Sequence, residues 1–356
     1  MRTVLDCPAC GTPLWIESLE CGSCAQPVLL DPVTKRAYAL GEPGLEPCAN
    51  RRWGCNWAVR AGGPHVECYS CRLTRRRPDL DDTVAMGKLA VTETAKRRLL
   101  IGLADLALPI RPQWVADGGL AFDLLASREG VPVVIGHADG VITIDLTESL
   151  DDHRERLRIT LGEPYRTMLG HFRHEVGHYY QWQLVEEPGG TLLEECRTLF
   201  GDERASYAEA LERHYRDGAP SDWPENYISS YATMHPWEDF AETFAHYQHI
   251  LATLGITANG GLLMSRQAQP ALPSDIRPRT DYTDVPMADA LTDWTWVSHL
   301  LNRANHAMGK GDLYPFTIPQ PVAEKLDFVH RVVVASRVHE PFIGLDAQAR
   351  EPLPKS

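Results

Sequence analysis

Hydrophobic and polar residues recur with helical spacing along most of the chain beyond about residue 80. The segment DDTVAMGKLAVTETAKRRLLIGLADLAL predicts a first helix, and Asp81 and Asp82 are suited to its start. Further helical patterns lie at about residues 163–187, 190–217, 236–254, 286–308 and 319–335. Before them, three short apolar segments bounded by Gly, Asp and Pro predict β-strands, namely GGLAFDLLA, VPVVIGHADG and GVITIDLTE.

This order of elements predicts the fold class. A few strands followed mainly by helices are typical of an α+β domain in which helices pack on a small sheet. We expect this domain to span residues 79–340, with a cysteine-rich module at residues 1–78 before it and a tail at residues 341–356 after it. The strand in GVITIDLTE is also a candidate sheet edge for pairing with an extended peptide.

Eight of the nine cysteines lie before residue 72 and fall into two sets of four. The first set, spaced C-x2-C-x10-C-x2-C, comprises Cys7, Cys10, Cys21 and Cys24. The second set, spaced C-x6-C-x12-C-x2-C, comprises Cys48, Cys55, Cys68 and Cys71.

Pairs of cysteines on tight turns can present four thiolates tetrahedrally to a zinc ion. The first set has two such pairs, whereas the second has one, and His65 is the nearest substitute for one of its ligands. The module has few periodic apolar positions, so zinc would supply much of its folding free energy. We therefore predict two closed structural zinc sites.

Charge limits the partners of the chain. The formal net charge of −13 disfavours binding of the whole protein to nucleic acid or to an anionic membrane. Residues 1–78 nevertheless hold ten Lys/Arg and seven Asp/Glu, a net charge of +3, and end in the basic cluster CRLTRRRPDL. A protein or nucleic-acid contact through this module stays open, and a solvated linker with packed aromatic residues is the alternative.

No membrane partner and no secretion are expected. The N-terminal segment MRTVLDCPACG lacks the apolar core of a signal peptide, and no apolar run reaches the length of a membrane span. A cytoplasmic location follows as the expectation, in which cysteines are reduced or bind metal. The sequence does not indicate an oligomeric state.

The segment GHFRHEVGHYYQW contains His-Glu-x-x-His, formed by His174, Glu175 and His178. On a helix, residues four apart point in the same direction, so both imidazoles can bind one metal ion. Glu175 lies next to the first histidine and can reach a water molecule on that metal. His171, one turn earlier, is a weaker candidate for a role near the site.

A catalytic zinc ion needs a third protein ligand and an open position. The positions at which two other known arrangements place this ligand hold Leu184 and Arg197, and the nearby Glu194 and Glu195 are out of register. The later segment YISSYATMHPWEDFAETFAHYQHI offers Glu238 as the third ligand. One helical turn further on, Glu242 can accept the second N–H of a ligand histidine. His235, His246, His249 and Asp312 are weaker candidates.

Tyr231, Glu238 and Glu242 follow the pattern Y-x6-E-x3-E. This pattern after HExxH resembles gluzincin peptidases of the lethal-factor and Pro-Pro endopeptidase type. The resemblance implies that Glu238 is the third zinc ligand, that Glu242 supports a ligand, and that Tyr231 stabilises the tetrahedral intermediate. From CPACG through CNW and CYSCRLTRRRPDL to DLYPF, the chain also resembles zinc-binding metallopeptidases with an N-terminal zinc ribbon, which implies a zincin-like domain.

The predicted function is that of a zinc-dependent metallopeptidase acting on a peptide or protein substrate. Zinc on His174, His178 and Glu238 would activate a water molecule, Glu175 would be the general base, and Tyr231 would stabilise the oxyanion. One catalytic and two structural zinc ions are expected. Two alternatives stay open: a nucleic-acid-associated zinc protein, and a non-catalytic zinc-stabilised binding protein, which would require neither Glu175 nor Tyr231.

Overall fold

The computed structural model describes residues 5–32, 34–127, 133–146 and 167–338. The described residues form two compact units. One unit contains the residues up to 146 together with 337 and 338, and the other contains residues 167–336. The predicted helix start at residue 163 and the predicted tail at residues 341–356 lie outside the described residues.

Short antiparallel strand pairs make up the cysteine-rich segment of the first unit. They join β1 (Leu5–Asp6) to β2 (Pro13–Leu14), β3 (Val28–Asp31) to β4 (Arg36–Ala39), and β5 (Leu45–Pro47) to β6 (Ala58–Arg60). Leu29 and Ala58 form a small buried cluster, against which Tyr38 and Leu45 pack. Val28, Leu30 and Trp57 are also buried in this segment. Zinc held by the cysteine sets would add binding free energy to this packing, so these sites are expected to contribute to the fold.

A four-stranded sheet and a long helix complete the first unit. The elements are α1 (Tyr69–Leu73), β7 (Thr74–Arg76), α2 (Thr83–Asp105), β8 (Ala121–Leu125), β9 (Gly136–Ala138) and β10 (Val141–Asp145). The strand order is β7-β8-β10-β9, with β8 parallel to β7 and β10, and β9 antiparallel to β10. The three predicted strands are present, and Asp82 caps α2 by accepting a hydrogen bond from the Ala85 N–H.

The strand in GVITIDLTE is not an edge of the described sheet. Asp139 and Gly140 both have positive φ and form the tight turn of a hairpin. The hairpin places β9 against Val141, Ile142 and Thr143 of β10, on the side away from β8. The predicted edge is therefore wrong at these residues, because an apolar pattern does not report which strands pair.

The first unit extends across the predicted domain boundary between residues 78 and 79. Lys96 of α2 is fully buried, and its Nζ donates to the Ser70 carbonyl oxygen at 2.8 Å and to Glu93 Oε1 at 3.0 Å. The bond to Ser70 connects α2 to α1, which contains Cys71, the last residue of the second cysteine set. As a limit between domains, the 78/79 boundary stays a prediction.

The described part of the second unit contains six α-helices. They are α3 (Met168–Gln181), α4 (Gly190–Phe200), α5 (Tyr207–Asp217), α6 (Pro236–Asn259), α7 (Met287–Ala307) and α8 (Gln320–Ala335). A π-helical turn, Trp182–Glu186, directly follows α3. With the sheet and the cysteine-rich segment, these helices confirm the predicted α+β class. None of the described helices combines the length and the apolar character needed to span a bilayer.

The single helix predicted over residues 190–217 is in fact two helices. Gly201 adopts φ of +102° and ends α4, a conformation that favours glycine. Ser206 then caps α5 by accepting a hydrogen bond from the Glu209 N–H at 3.3 Å. The segment Gly-Asp-Glu-Arg at residues 201–204 interrupts the apolar periodicity, and the glycine marks the end of α4, so the prediction of one continuous helix overlooked this interruption.

Helices α3 and α6 form the most extensive helix–helix contact of the described chain. Gly177, inside the HExxH segment, makes this close approach possible. A Cβ atom at Gly177 would lie 2.9 Å from Ala241 Cα and 3.1 Å from the Ala241 carbonyl oxygen. Beside this contact, the ring of Tyr180 packs on that of Phe244, with centroids 5.5 Å apart.

Gly177→Ala is expected to push α3 and α6 apart. Overpacking of this kind destabilises proteins by about 1–3 kcal/mol, and here it would also weaken zinc binding because the candidate ligands lie on both helices. Denaturant unfolding and zinc titration would measure the two effects. Gly87→Ala is the matched control, since a Cβ atom there meets nothing within 4 Å. A Gly177→Ala protein with unchanged stability and zinc affinity would contradict the expectation.

A buried ion pair attaches the opposite side of α6 to α8. Asp239 is 1% exposed, and its Oδ2 accepts a hydrogen bond from Lys325 Nζ at 2.6 Å. Lys325 Nζ also donates to the Asn226 carbonyl oxygen and lies 4.2 Å from the ring centroid of Tyr227. Helix α6 is therefore packed against α3 on one side and bonded to α8 through Asp239 on the other.

Candidate metal centre

Two capped helix starts determine where the candidate ligands lie. Thr167 caps α3 by accepting a hydrogen bond from the Gly170 N–H at 3.0 Å. His235 caps α6: its Nδ1 accepts from the Trp237 N–H at 3.2 Å, and its Nε2–H donates to the Ala205 carbonyl oxygen at 3.0 Å. Both helices therefore begin at fixed residues shortly before the ligand positions.

Three candidate ligand atoms meet between α3 and α6. His174 Nε2 lies 2.9 Å from Glu238 Oε2 and 3.2 Å from His178 Nε2, and His178 Nε2 lies 3.5 Å from Glu238 Oε2. Zinc bonds to nitrogen and oxygen of about 2.0–2.2 Å place neighbouring donors of a tetrahedron about 3.3 Å apart. The three atoms therefore have the spacing of three corners around one zinc ion.

The other nitrogen of His174 is bound by a carboxylate. His174 Nδ1–H donates to Glu242 Oε1 at 2.8 Å, and the Ser229 hydroxyl donates to Glu242 Oε2 at 2.7 Å. This arrangement fixes the tautomer that leaves Nε2 with a lone pair for metal. Glu242 thus lies where the sequence places it, beside a ligand histidine.

The charges of the site also suit a cation. Burial lowers the pKa of His174, but its hydrogen bonds to Glu238 and Glu242 outweigh burial and raise the pKa well above the ordinary value. Burial raises the pKa of Glu238, but the imidazoles of His178 and His174 outweigh it and lower the pKa well below the ordinary value. The pocket therefore stabilises positive charge next to a buried carboxylate, and its residues fit a zinc ion.

Glu175 is buried beside the two histidines. His171 Nε2 lies 3.1 Å from Glu175 Oε1, while Glu175 Oε2 is buried and makes no hydrogen bond to any residue that the structure describes. Burial raises the pKa of Glu175, but the hydrogen bond from His171 and the nearby imidazoles lower it below the ordinary value. Glu175 is therefore a carboxylate with one anchored oxygen and one oxygen able to accept a proton.

Tyr231 lies beside the ligand candidate His174. Its ring centroid lies 6.0 Å from that of His174, and it begins a short 3₁₀ turn, Tyr231–Thr233. Ser229, which binds Glu242, also accepts a hydrogen bond from the Ala232 N–H at 3.1 Å, so one side chain supports both Glu242 and this turn. Burial raises the pKa of Tyr231 far above its ordinary value, which keeps the phenol a neutral donor.

The structure brings each cysteine set together. Within each set the sulfur atoms all lie within 4.8 Å of one another. Sulfur–sulfur separations such as 3.6 Å between Cys7 Sγ and Cys24 Sγ and 3.6 Å between Cys55 Sγ and Cys68 Sγ are far longer than a disulfide bond. Four thiolates at about 2.3 Å from zinc would be about 3.8 Å apart, so both sets fit a closed zinc site. His65 is not part of the described second group.

Comparison with known proteins identifies the family. A family model described as "Putative zinc-binding metallo-peptidase" matches residues 85–332, more than half of the chain. The chain belongs to this family. A zinc-ribbon model matches residues 4–82 of the chain, and both matches confirm the resemblance to zinc-binding metallopeptidases with an N-terminal zinc ribbon. The resemblance to lethal-factor-type enzymes stays a prediction.

Relatives of this chain occur in mycobacteria. Uncharacterized proteins of Mycobacterium bovis and of two Mycobacterium tuberculosis strains are each 43% identical to it over 342 residues. The match covers 92% of this chain and 94% of each relative. No solved structure matches the chain. Zinc is the metal that the family and both cysteine sets indicate, and the number of ions stays a prediction.

The sequence also singles out several other histidines and acidic residues. They make their contacts outside the group of three candidate ligands. His246 Nδ1 lies 2.8 Å from the Tyr314 hydroxyl, and His249 Nδ1 lies 2.5 Å from an Arg173 nitrogen. Asp312 pairs with His306 at the surface, and Glu195 pairs with Arg331. The side chain of Glu194 is exposed.

Two aromatic residues of α5 contact the candidate site although the sequence does not single them out. The Tyr207 hydroxyl donates to Glu238 Oε1 at 2.9 Å. His214 lies edge-on to Tyr231, with ring centroids 6.1 Å apart and planes at 90°. The sequence offers one indication that they act together. They lie seven residues apart on a mostly polar helix, which places them on the same face.

Glu238→Ala is expected to lower the zinc content from three ions per chain to two. The substitution removes one of three ligands from an open site and leaves both cysteine sites intact. Metal analysis after gel filtration would count the ions. Glu194→Ala and Glu195→Ala are the matched controls and should retain three. An unchanged count in Glu238→Ala, or a loss in either control, would overturn the assignment of Glu238.

Proposed function

We propose that this member of the metallopeptidase family hydrolyses peptide bonds. The observation that carries the proposal is the position of Glu175 between the two candidate ligand histidines in the sequence. Its buried Oε2 has no hydrogen-bond partner among the described residues, and His174, His178 and Glu238 are spaced to hold one zinc ion. Holding a metal does not require such a carboxylate. Removing a proton from a water molecule does.

His174, His178 and Glu238 would hold the ion. When bound, zinc supplies Lewis-acid polarisation of the scissile carbonyl and lowers the pKa of a water molecule toward neutrality. The hydrogen bond from His174 Nδ1–H to Glu242 fixes the tautomer and the orientation of the imidazole. The Nε2 lone pair of His174 would therefore be available to the ion.

Glu175 is proposed to move the proton. The hydrogen bond between His171 and Oε1 holds the carboxylate in place, so Oε2 can take the proton from the attacking water. The same carboxyl group then delivers the proton to the nitrogen of the leaving amine. One proton is thus transferred twice, and the carboxylate is regenerated.

Tyr231 is proposed to donate a hydrogen bond to the oxyanion that forms on the scissile carbonyl. Its high pKa keeps the proton on the phenol, and its ring lies next to that of His174. The turn that carries Tyr231 is anchored by Ser229, which also binds Glu242. Its position is therefore coupled to that of the ligand histidine.

Cleavage of an unbiased peptide library tests the proposed activity. Wild-type protein and Glu175→Ala, purified in the same way and with equal zinc content, would be incubated with the library and the products identified by mass spectrometry. Cleavage by the wild type that is absent with Glu175→Ala supports the proposal. Identical product patterns from both proteins would assign the cleavage to a contaminant, and no cleavage by either would favour a zinc-stabilised binding protein.

The alternative of a nucleic-acid-associated protein has less support. The guanidinium groups of the basic cluster are engaged within the first unit: Arg75 donates to both carboxylate oxygens of Asp123 at 3.0 and 2.7 Å, and Arg77 pairs with Glu67 at 3.1 Å. The Arg72 guanidinium lies 4.5 Å from the ring centroid of Trp114. Contact with a protein or nucleic acid through the zinc-ribbon module stays a prediction, which salt-dependent DNA binding by the full chain would test.

A further inference from the structure

The two carboxylate oxygens of Glu238 have different partners. Oε2 faces the two imidazoles, at 2.9 Å from His174 Nε2 and 3.5 Å from His178 Nε2. Oε1 accepts a hydrogen bond from the Tyr207 hydroxyl at 2.9 Å. Because Glu238 is only 3% exposed, bulk water is not available to replace this donor. The orientation of the carboxylate therefore depends on a residue 31 positions earlier in the chain.

Tyr207 is itself fixed against the start of the helix that carries Glu238. Its ring centroid lies 5.3 Å from that of His235, which caps α6, and 6.1 Å from that of Trp237. Trp237 Nε1 in turn donates to Glu186 Oε1 at 2.9 Å, at the end of the π-helical turn after α3. The phenol thus packs on residues that flank Glu238, so its hydroxyl and the carboxylate share one rigid support.

A carboxylate can bind zinc through one oxygen or through both. A catalytic zinc site needs one coordination position free for water or substrate. A donor on Oε1 occupies the lone pair that would otherwise turn toward the ion, and it leaves Oε2 as the coordinating atom. Hydrogen bonds of this kind to ligand side chains orient the ligands and tune metal affinity.

We propose that Tyr207 is a positioning residue that holds Glu238 as a one-oxygen metal ligand. The inference rests on the proposed metal triad of His174, His178 and Glu238, and it does not require peptide hydrolysis. It assigns separate roles to the two phenols of the pocket. Tyr207 orients a ligand in the resting protein, whereas Tyr231, whose ring lies beside that of His174, acts on the reacting carbonyl.

Metal binding to the full chain tests the proposal. Mild chelation would remove the ion from the three-ligand site, and zinc or cobalt(II) would then be titrated back into wild type, Tyr207→Phe and Tyr231→Phe. Loss of a partner of a metal ligand typically costs about ten- to a hundredfold in metal affinity. Tyr207→Phe is therefore expected to bind zinc about ten- to a hundredfold more weakly, and its cobalt(II) visible spectrum should change because the coordination by Glu238 changes. Tyr231→Phe, the matched control, should keep both properties of the wild type.

Both changes in Tyr207→Phe are required. Unchanged zinc affinity overturns the proposal, and so does weaker binding with an unchanged cobalt spectrum, since a loss of packing alone would give that result. The substitution removes one hydroxyl from a half-buried ring. A helical circular-dichroism signal and a denaturant midpoint close to those of the wild type would show that the unit containing Tyr207 is folded in the variant. These readouts do not depend on turnover, so failure of the inference is distinguishable from failure of the proposed peptidase activity.

Discussion

Glu175→Gln is expected to lower kcat by about a hundred- to ten-thousandfold, the range that general acid–base catalysis contributes. Glutamine has the shape of glutamate and can keep a hydrogen bond to His171, but it cannot take a proton from water. Because Glu175 is not among the three ligands, the variant should retain its full zinc content. Steady-state kinetics on a peptide identified from the library, together with metal analysis, would measure both quantities.

His171→Asn provides a graded comparison for this experiment. It removes the imidazole that lies 3.1 Å from Glu175 Oε1 while leaving the base itself in place. We expect a smaller loss of kcat than in Glu175→Gln, because the carboxylate can still accept the proton in a less defined orientation. If Glu175→Gln kept more than about a third of wild-type kcat, the role of general base would have to be given up.

Tyr231→Phe is expected to keep zinc and fold but to lose most of the turnover. Removal of one oxyanion donor typically costs about a hundred- to a thousandfold in kcat. The hydroxyl acts mainly in the transition state, so KM should change little. Kinetics at saturating and at low substrate concentrations would separate the two parameters.

Tyr227→Phe is the matched control, since it removes a hydroxyl from the same segment. The ring of Tyr227 packs near Lys325 Nζ, on the side of the Asp239–Lys325 pair rather than at the three ligands. Its kcat should stay close to that of the wild type. Comparable activity of Tyr231→Phe and Tyr227→Phe would show that Tyr231 is only a packed aromatic residue and would refute its assignment as oxyanion donor.

The sequence predicts those parts of the site that depend on local spacing. His174 and His178 converge because four residues make about one helical turn, and Glu238 and Glu242 lie on one face of α6 for the same reason. The four-cysteine sets are recognisable because each contains at least one Cys-x2-Cys turn. In all these cases the geometry that matters is set within a few residues.

Contacts between distant segments are the part that the sequence does not predict. Tyr207 at the start of α5 bonds Glu238 at the start of α6, 31 positions later, so no local spacing rule could connect the two. Local spacing also leaves one contact of the site undecided: His171 lies one helical turn before Glu175, but a packed or solvated histidine would have the same spacing. The pairing of β9 with β10 and the internal pairing of Arg75 with Asp123 are likewise long-range choices made by the folded chain.

Because the third ligand is brought to the first two by helix packing, metal occupancy and tertiary structure of the second unit are thermodynamically linked. Gly177 sets the separation of α3 and α6, and an unfolded chain would not hold His174 and Glu238 within 2.9 Å of each other. Ligand binding to the native state alone adds about 2.7 kcal/mol of stability at a free concentration one hundred times Kd. The melting temperature of this unit should therefore rise with free zinc, and thermal unfolding at a series of zinc concentrations would measure the coupling between metal and fold.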